Sequence, residues 1–151
     1  TLHSKYSQFS TDEWGSLVRF AEGKPGKLMR AIENQTYVKD VQKKYSIAVN
    51  LLSNPLYTSL QKIEELVKND ETIEEYPEFV IRVLRSLLFL YSKTSGLHTI
   101  KIPAETSKNL LARYPEKECV RLIKEVYRTN WILQHTTVNR RMAVEGLLLE
   151  F

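Results

Sequence analysis

Apolar residues recur every three or four positions along almost the whole chain, which is the pattern of amphipathic helices. The first helix is predicted between a capping box at residues 10–13 and Gly23, which is well placed as a helix C-cap. Pro25 then suits the first turn of a second helix. Further helices are predicted over about 37–52, 55–67, 76–93, 103–114, 116–135 and 140–151.

The spacing also predicts which side of each helix faces the core. Val18 is placed on the inward face of the first helix and Leu56 on that of the fourth. Ser86 is assigned to a polar stripe, and Cys119 to the core side of the helix over 116–135. Asn139 is expected to cap the final helix. Apart from a short alternating connector at 98–102, no strand pair, repeat or heptad seam is found, so the predicted fold class is all-α, a helical bundle.

Composition limits the class of protein. The chain has 151 residues, and its 42% hydrophobic content argues against disorder and suits one domain, or one domain with a small appendage. Its longest apolar run, at 87–91, is far shorter than a membrane span, and no signal peptide is seen. A single cysteine fits a reducing cytosol. Because the chain starts at Thr1 rather than Met, we expect a fragment of a longer protein.

Charge is distributed unevenly. The net charge is +3 over residues 1–44, −5 over 45–78 and +6 over 79–151. An acidic middle opposes uniform binding to nucleic acid, so DNA binding is expected to be weak and salt-sensitive at best. Alternating charged surfaces that meet other subunits fit the pattern as well, and solvated helix faces account for most of these charges.

Residues arranged for catalysis are hard to find. The stretch at 23–27 has its glycines at the wrong spacing for a phosphate-binding loop, so we read it as a turn between two helices. His3, His98 and His135 are far apart and lack metal-site partners. The carboxylate pairs at 64–65 and 74–75 lie in hydrophilic surroundings, and no nucleophile motif is present. We therefore predict no catalytic residue, no cofactor, no metal and no independent enzyme activity.

The final helix carries more apolar surface than one core-facing stripe requires. A helix that is apolar nearly all round is buried on more than one side, and in a small protein the second side often meets a partner chain. A central core helix of a single bundle is the alternative interpretation. We expect Val144, Leu148 and Phe151 to form one face, and Met142, Leu149 and Gly146 another. The candidate subunit-interface residues are Met142, Val144, Leu147, Leu148, Leu149 and Phe151.

Two stretches resemble a known family. Residues 20–28, FAEGKPGKL, are similar to the lid-domain turn A-x-G-S-P-G-x-A-L of bacterial clamp-loader subunits of the DNA polymerase III delta-prime family. Residues 137–149, TVNRRMAVEGLLL, resemble the end of the collar domain in that family, N-x-N-x-x-L-x-x-E-x-L-L-L. Lys24 and Leu28 depart from the first pattern. Gly23, Pro25 and Gly26 are the lid-turn residues that the resemblance assigns.

The resemblance implies an organisation and a function. Residues 1–34 would be the end of an AAA+ lid and residues 35–151 a C-terminal helical collar, with an ATPase-like domain upstream. Such a collar assembles in the cytoplasm with loader subunits of the gamma/tau and delta types, as part of the DNA polymerase III holoenzyme that loads the sliding clamp during replication. It would contact DNA and the sliding clamp only indirectly, and no membrane. In the ATP-hydrolysing sister subunit an arginine that senses the nucleotide phosphate stands at the position of Gly26, so this chain is expected not to bind ATP.

Three alternatives stay open. The first is the collar of the ATP-hydrolysing gamma/tau sister subunit, for which an arginine at position 26 would have argued. The second is a stand-alone helical DNA-binding module, although the residues behind Arg140 and Arg141 are leucine-rich and poorly suited to a DNA groove. The third is an enzyme, for which the sequence nominates no residue.

Overall fold

The computed structural model describes residues 14, 15, 17, 18, 21, 23–68, 73–92 and 102–151. Throughout these residues the secondary structure is helix, turn or coil, with no strand, so the predicted all-α class is confirmed. The capping box at 10–13 lies outside the described residues, as does the connector at 98–102 except for Ile102.

Seven helices with complete bounds follow one another in this part of the chain, close to the predicted positions. Residues Ile73–Glu75 add one 3-10 turn, and helix α6 has the bounds predicted from the sequence. The last helix ends at Leu148, before the predicted end at 151. The helices are α1 (Pro25–Glu33), α2 (Gln35–Ser53), α3 (Leu56–Lys68), α4 (Tyr76–Tyr91), α5 (Ala104–Arg113), α6 (Glu116–His135) and α7 (Arg140–Leu148).

The chain divides into two compact units, residues 1–42 and residues 43–151, and the division falls within α2. The lid–collar boundary that the resemblance implies, after Asn34, falls in the break between α1 and α2. That assignment stays a prediction, since a division by contacts does not identify either unit as a lid or a collar.

In the first unit a tight turn joins two helical segments. Gly23 has φ +74°, the left-handed conformation that favours glycine after a helix, and the Lys24 amide donates to the Ala21 carbonyl at 2.9 Å. Pro25 then begins α1, as predicted. Ala21 packs with two residues of α1, Leu28 and Ile32, in a small core. The expected burial of Val18 is wrong, since 45% of that residue is exposed.

The second unit is built around α4 and α6. Helix α4 is apolar over most of its surface and packs against α6, while α7 packs against α3 and α6. The contacting faces of these two helices are fully buried, at Leu84 and Leu87 of α4 and at Leu122 and Val126 of α6. Cys119 is also fully buried, so its assignment to the core is confirmed. No helix in the described ranges is both long and apolar enough to cross a bilayer.

Two further assignments of helix faces are corrected. Leu56 is 39% exposed because α3 turns Ser59, Ile63 and Leu66 inward instead. Ser86, assigned to a polar stripe, is buried at 2% exposure. Its hydroxyl donates within α4 to the Arg82 carbonyl at 3.0 Å. A hydroxyl satisfied in this way by its own helix is tolerated inside the core.

Candidate interaction surface

The final helix begins at a side-chain cap. Asn139 precedes α7 in an extended conformation, and its Oδ1 accepts a hydrogen bond from the Met142 amide at 3.3 Å. This is the N-cap predicted from the sequence, and it satisfies one of the free amides of the first turn. The cap fixes where the helix starts and therefore which residues point in each direction.

One face of α7 belongs to the core of the second unit. Val144 and Leu148 are 2% and 3% exposed and pack among Ile47, Leu51, Ile63, Leu66, Ile73 and Tyr76. Phe151 is half-buried against the same cluster, and Leu147 is buried at 4% exposure. These four residues of the predicted interface set are therefore held by the chain's own packing.

The opposite face of α7 is open. Met142 and Leu149 are 66% and 67% exposed, and Gly146 lies between them at helical spacing. A Cβ added at Gly146 would meet no atom within 4 Å. The adjoining ion pair is satisfied internally, because Arg141 Nε donates to Glu145 Oε1 at 2.6 Å. The two faces thus fall where the sequence analysis places them, and we define Met142, Gly146 and Leu149 as the open face of α7.

The end of the chain is tied to α6 by one arginine. Arg121 donates to both carboxylate oxygens of Glu118, to Glu150 Oε2 at 2.9 Å and to the Glu150 carbonyl at 2.7 Å. These hydrogen bonds raise the pKa of Arg121, and those with Glu118 contribute most. The same contact lowers the pKa of Glu118. The open face of α7 is therefore presented by a helix whose far end is anchored.

The lid-turn residues lie at the surface of the first unit. Gly23, Pro25 and Gly26 are all exposed, and the turn is closed by Lys24, whose carbonyl accepts from the Lys27 and Leu28 amides at 3.1 Å. Open space surrounds Gly26, where a Cβ would meet no atom within 4 Å. The structure brings these residues together as one turn, but it does not assign the turn a ligand.

Two buried groups of the second unit, Cys119 and Tyr114, have raised pKa values. Burial raises the pKa of the Cys119 thiol to about 11, and its Sγ lies 3.3 Å from the Tyr114 carbonyl oxygen. Burial also raises the pKa of the Tyr114 hydroxyl, which donates to the Leu52 carbonyl at 2.9 Å. A protonated, enclosed thiol is a poor nucleophile and a poor metal ligand. Over the described residues, no three His, Cys, Asp or Glu side chains are placed to share a metal ion.

A shallow depression lies between α2 and α3. Its volume is about 240 Å³, below the usual range for small-molecule sites. Ser59 lines it, but the Ser59 hydroxyl already donates to the Leu51 carbonyl at 3.0 Å. The Ser59 hydroxyl is therefore engaged in joining α3 to α2.

The sequence analysis missed a second exposed surface, on α6. Val120, Tyr127 and Trp131 are 41%, 53% and 58% exposed on the side of α6 that faces away from Cys119 and Val126. Their spacing of seven and four residues places them in one stripe, which a helical wheel drawn from the buried residues would have revealed. On α6 the aromatic residues are interleaved with charged ones, so the sequence shows no apolar excess there like that of the final helix.

Comparison of the chain with protein-family models, with curated proteins and with solved structures returns no match. The resemblance carried by residues 20–28 and 137–149 therefore stays a prediction. Over the described residues of the second unit, the structure independently establishes a helical architecture whose last helix has one buried and one open face.

Proposed function

We propose that the chain is an assembly module: the lid end and helical collar of a clamp-loader subunit of the delta-prime type, which joins sister subunits through the open face of α7. The observation that carries the assembly role is the exposure of Met142 and Leu149 on a helix whose other face lies in the core. Two long apolar side chains flanking a glycine let a partner helix approach closely, and their burial would supply the driving force.

The choice of a clamp loader as the assembly rests on the resemblance of the two chain ends. The left-handed Gly23 followed by Pro25 at the first turn of α1 suits the lid turn of that family. Asn139 at the cap of α7 likewise suits the family's final helix. Gly26 favours the delta-prime type over the ATP-hydrolysing sister, because the position offers no cation to a nucleotide phosphate.

Reconstitution with sister subunits tests the proposal. The chain is mixed with the gamma/tau-type and delta-type loader subunits of the same organism, and co-elution is followed by size-exclusion chromatography. We expect one joint peak for the native chain and separate peaks for Met142→Glu and Leu149→Glu. Tyr57→Glu is the matched control, since Tyr57 is 71% exposed on α3 and distant in sequence from α7. Separate elution of the native chain, or equal loss in the Tyr57 variant, would contradict the proposal.

A further inference from the structure

The solvent side of α6 carries aromatic rings and cations in one stripe. The helix is 20 residues long, and successive exposed positions on this side fall within about a third of its circumference at 100° per residue. We define the α6 stripe as Lys117, Val120, Lys124, Tyr127, Trp131 and His135. From Lys117 to His135 it extends about 27 Å along the axis, taking 1.5 Å per residue.

The rings of the stripe are exposed and partly fixed. His135 stacks on Trp131 with ring centroids 5.0 Å apart and planes 15° from parallel, and its Nδ1 lies 2.9 Å from the Trp131 carbonyl oxygen. Trp131 nevertheless keeps 58% of its surface exposed, and Tyr127, one turn earlier, keeps 53%. An indole held in place before a ligand arrives loses less conformational entropy on binding.

Within the part of the chain that the structure describes, the cations of α6 are unequally engaged, and those of the stripe are the free ones. Neither Lys117 nor Lys124 has an ion-pair partner among the described residues. The other two cations of α6 face carboxylates: Arg121 binds Glu118 and Glu150, and Arg128 lies 3.8 Å from Glu125. Glu116 precedes the stripe in the first turn, and no carboxylate lies within the stripe.

The geometry points to single-stranded nucleic acid as the occupant of the α6 stripe, with bases stacked on Trp131 and Tyr127 and phosphates paired with Lys117 and Lys124. Exposed rings interleaved with free cations are the two elements of sequence-independent single-strand binding. A protein partner suits the stripe less well, because interface cores are depleted in lysine and only Val120 supplies aliphatic surface. This contact is separate from assembly through α7.

Binding is measured by fluorescence anisotropy with the 151-residue chain and labelled oligothymidylate of about 16 nucleotides. Because a helix face engages few phosphates, we expect a dissociation constant in the micromolar range and a log–log salt slope of about −1.4 to −2.1, for two or three phosphates. Oligouridylate of the same length distinguishes RNA from DNA as the source, and a duplex of that length should bind more weakly because its bases are stacked already.

Variants assign the binding to the stripe. Trp131→Ala and Tyr127→Ala should each weaken binding about fivefold or more, and Trp131→Phe should retain most of it. Tyr57→Ala is the aromatic control. Lys117→Gln with Lys124→Gln should reduce the salt slope, whereas Lys39→Gln with Lys108→Gln changes the net charge equally at exposed positions elsewhere and should not.

Three results would overturn the inference. They are no binding of either oligonucleotide at about 100 μM chain in low salt, equal losses in the stripe variants and their controls, and duplex binding that exceeds single-strand binding. In the first case, altered self-association of Trp131→Ala in sedimentation velocity would make the stripe a protein contact.

Discussion

Leu148 is the last residue of α7 and Leu149 is its C-cap, and these adjacent leucines lie in opposite environments. One pair of substitutions therefore tests the two-faced helix. Leu148 is 3% exposed within the cluster formed by α2, α3, α4 and α7, whereas Leu149 is 67% exposed. Leu148→Ala removes buried methyl groups and leaves a cavity, which costs about 2–5 kcal/mol. Leu149→Ala removes atoms already in water and should change stability by less than about 0.5 kcal/mol.

Urea and thermal unfolding followed by far-UV circular dichroism measure the difference. For a chain of this length the Leu148 variant should melt roughly 5–20 °C below the native chain, and the Leu149 variant within about 2 °C of it. Assembly should show the reverse order, since only Leu149 belongs to the open face. Equal melting losses in both variants, or an unchanged midpoint for Leu148→Ala, would refute the assignment of α7 to one buried and one open side.

Three other predictions follow from the described contacts. Tyr114→Phe loses a buried hydrogen bond to the Leu52 carbonyl and should destabilise the chain by about 1 kcal/mol in urea unfolding, while Tyr57→Phe at an exposed site should not. Cys119 has a folded pKa of about 11, above its unfolded value, so its contribution to stability is complete below about pH 9 and is lost as pH rises toward 11. In the native chain at about pH 8 a thiol reagent should therefore label Cys119 only at the rate of opening, and immediate labelling would contradict the burial. Gly23→Ala places a side chain at φ +74° and should cost about 1–2 kcal/mol, visible as a lower melting temperature of the first unit.

Helix positions could be predicted from the sequence because their ends carry local signals. Pro25 begins α1 and Asn139 caps α7, as the sequence predicts. Each signal acts through the backbone within one turn, so neighbouring helices do not alter it.

Helix faces were harder to predict. A helix can offer two apolar stripes of similar size to the core, and tertiary contacts decide which of them is buried. On α3, both the predicted stripe from Leu56 and the observed stripe from Ser59 contain Ile63. Ser59 faces inward because its hydroxyl bonds to the Leu51 carbonyl of α2, a contact that no periodicity reveals. Helix α2 is buried over a wider arc than one stripe, since Ile47, Ala48, Leu51 and Leu52 are all buried.

The candidate surfaces were predictable only in part. The open face of α7 follows from an apolar excess that a single chain of this size does not need to bury. The α6 stripe was not predicted, although Cys119 is placed on the core side of this helix from the sequence; the structure shows Tyr127 and Trp131 exposed on another side of α6. Neither surface identifies its partner by shape alone.

The central claim is the proposed assembly through the open face of α7, and the affinity of the native chain for a loader subunit of the gamma/tau type, measured by sedimentation velocity beside Leu149→Glu, tests it most directly. We expect a complex for the native chain at micromolar concentration, and binding weakened about tenfold or more in the variant, as for a central interface residue. The melting temperature should be the same for both. Independent sedimentation of the native chain and the sister subunit, or equal affinity of the native and variant chains, would contradict assembly through the open face of α7.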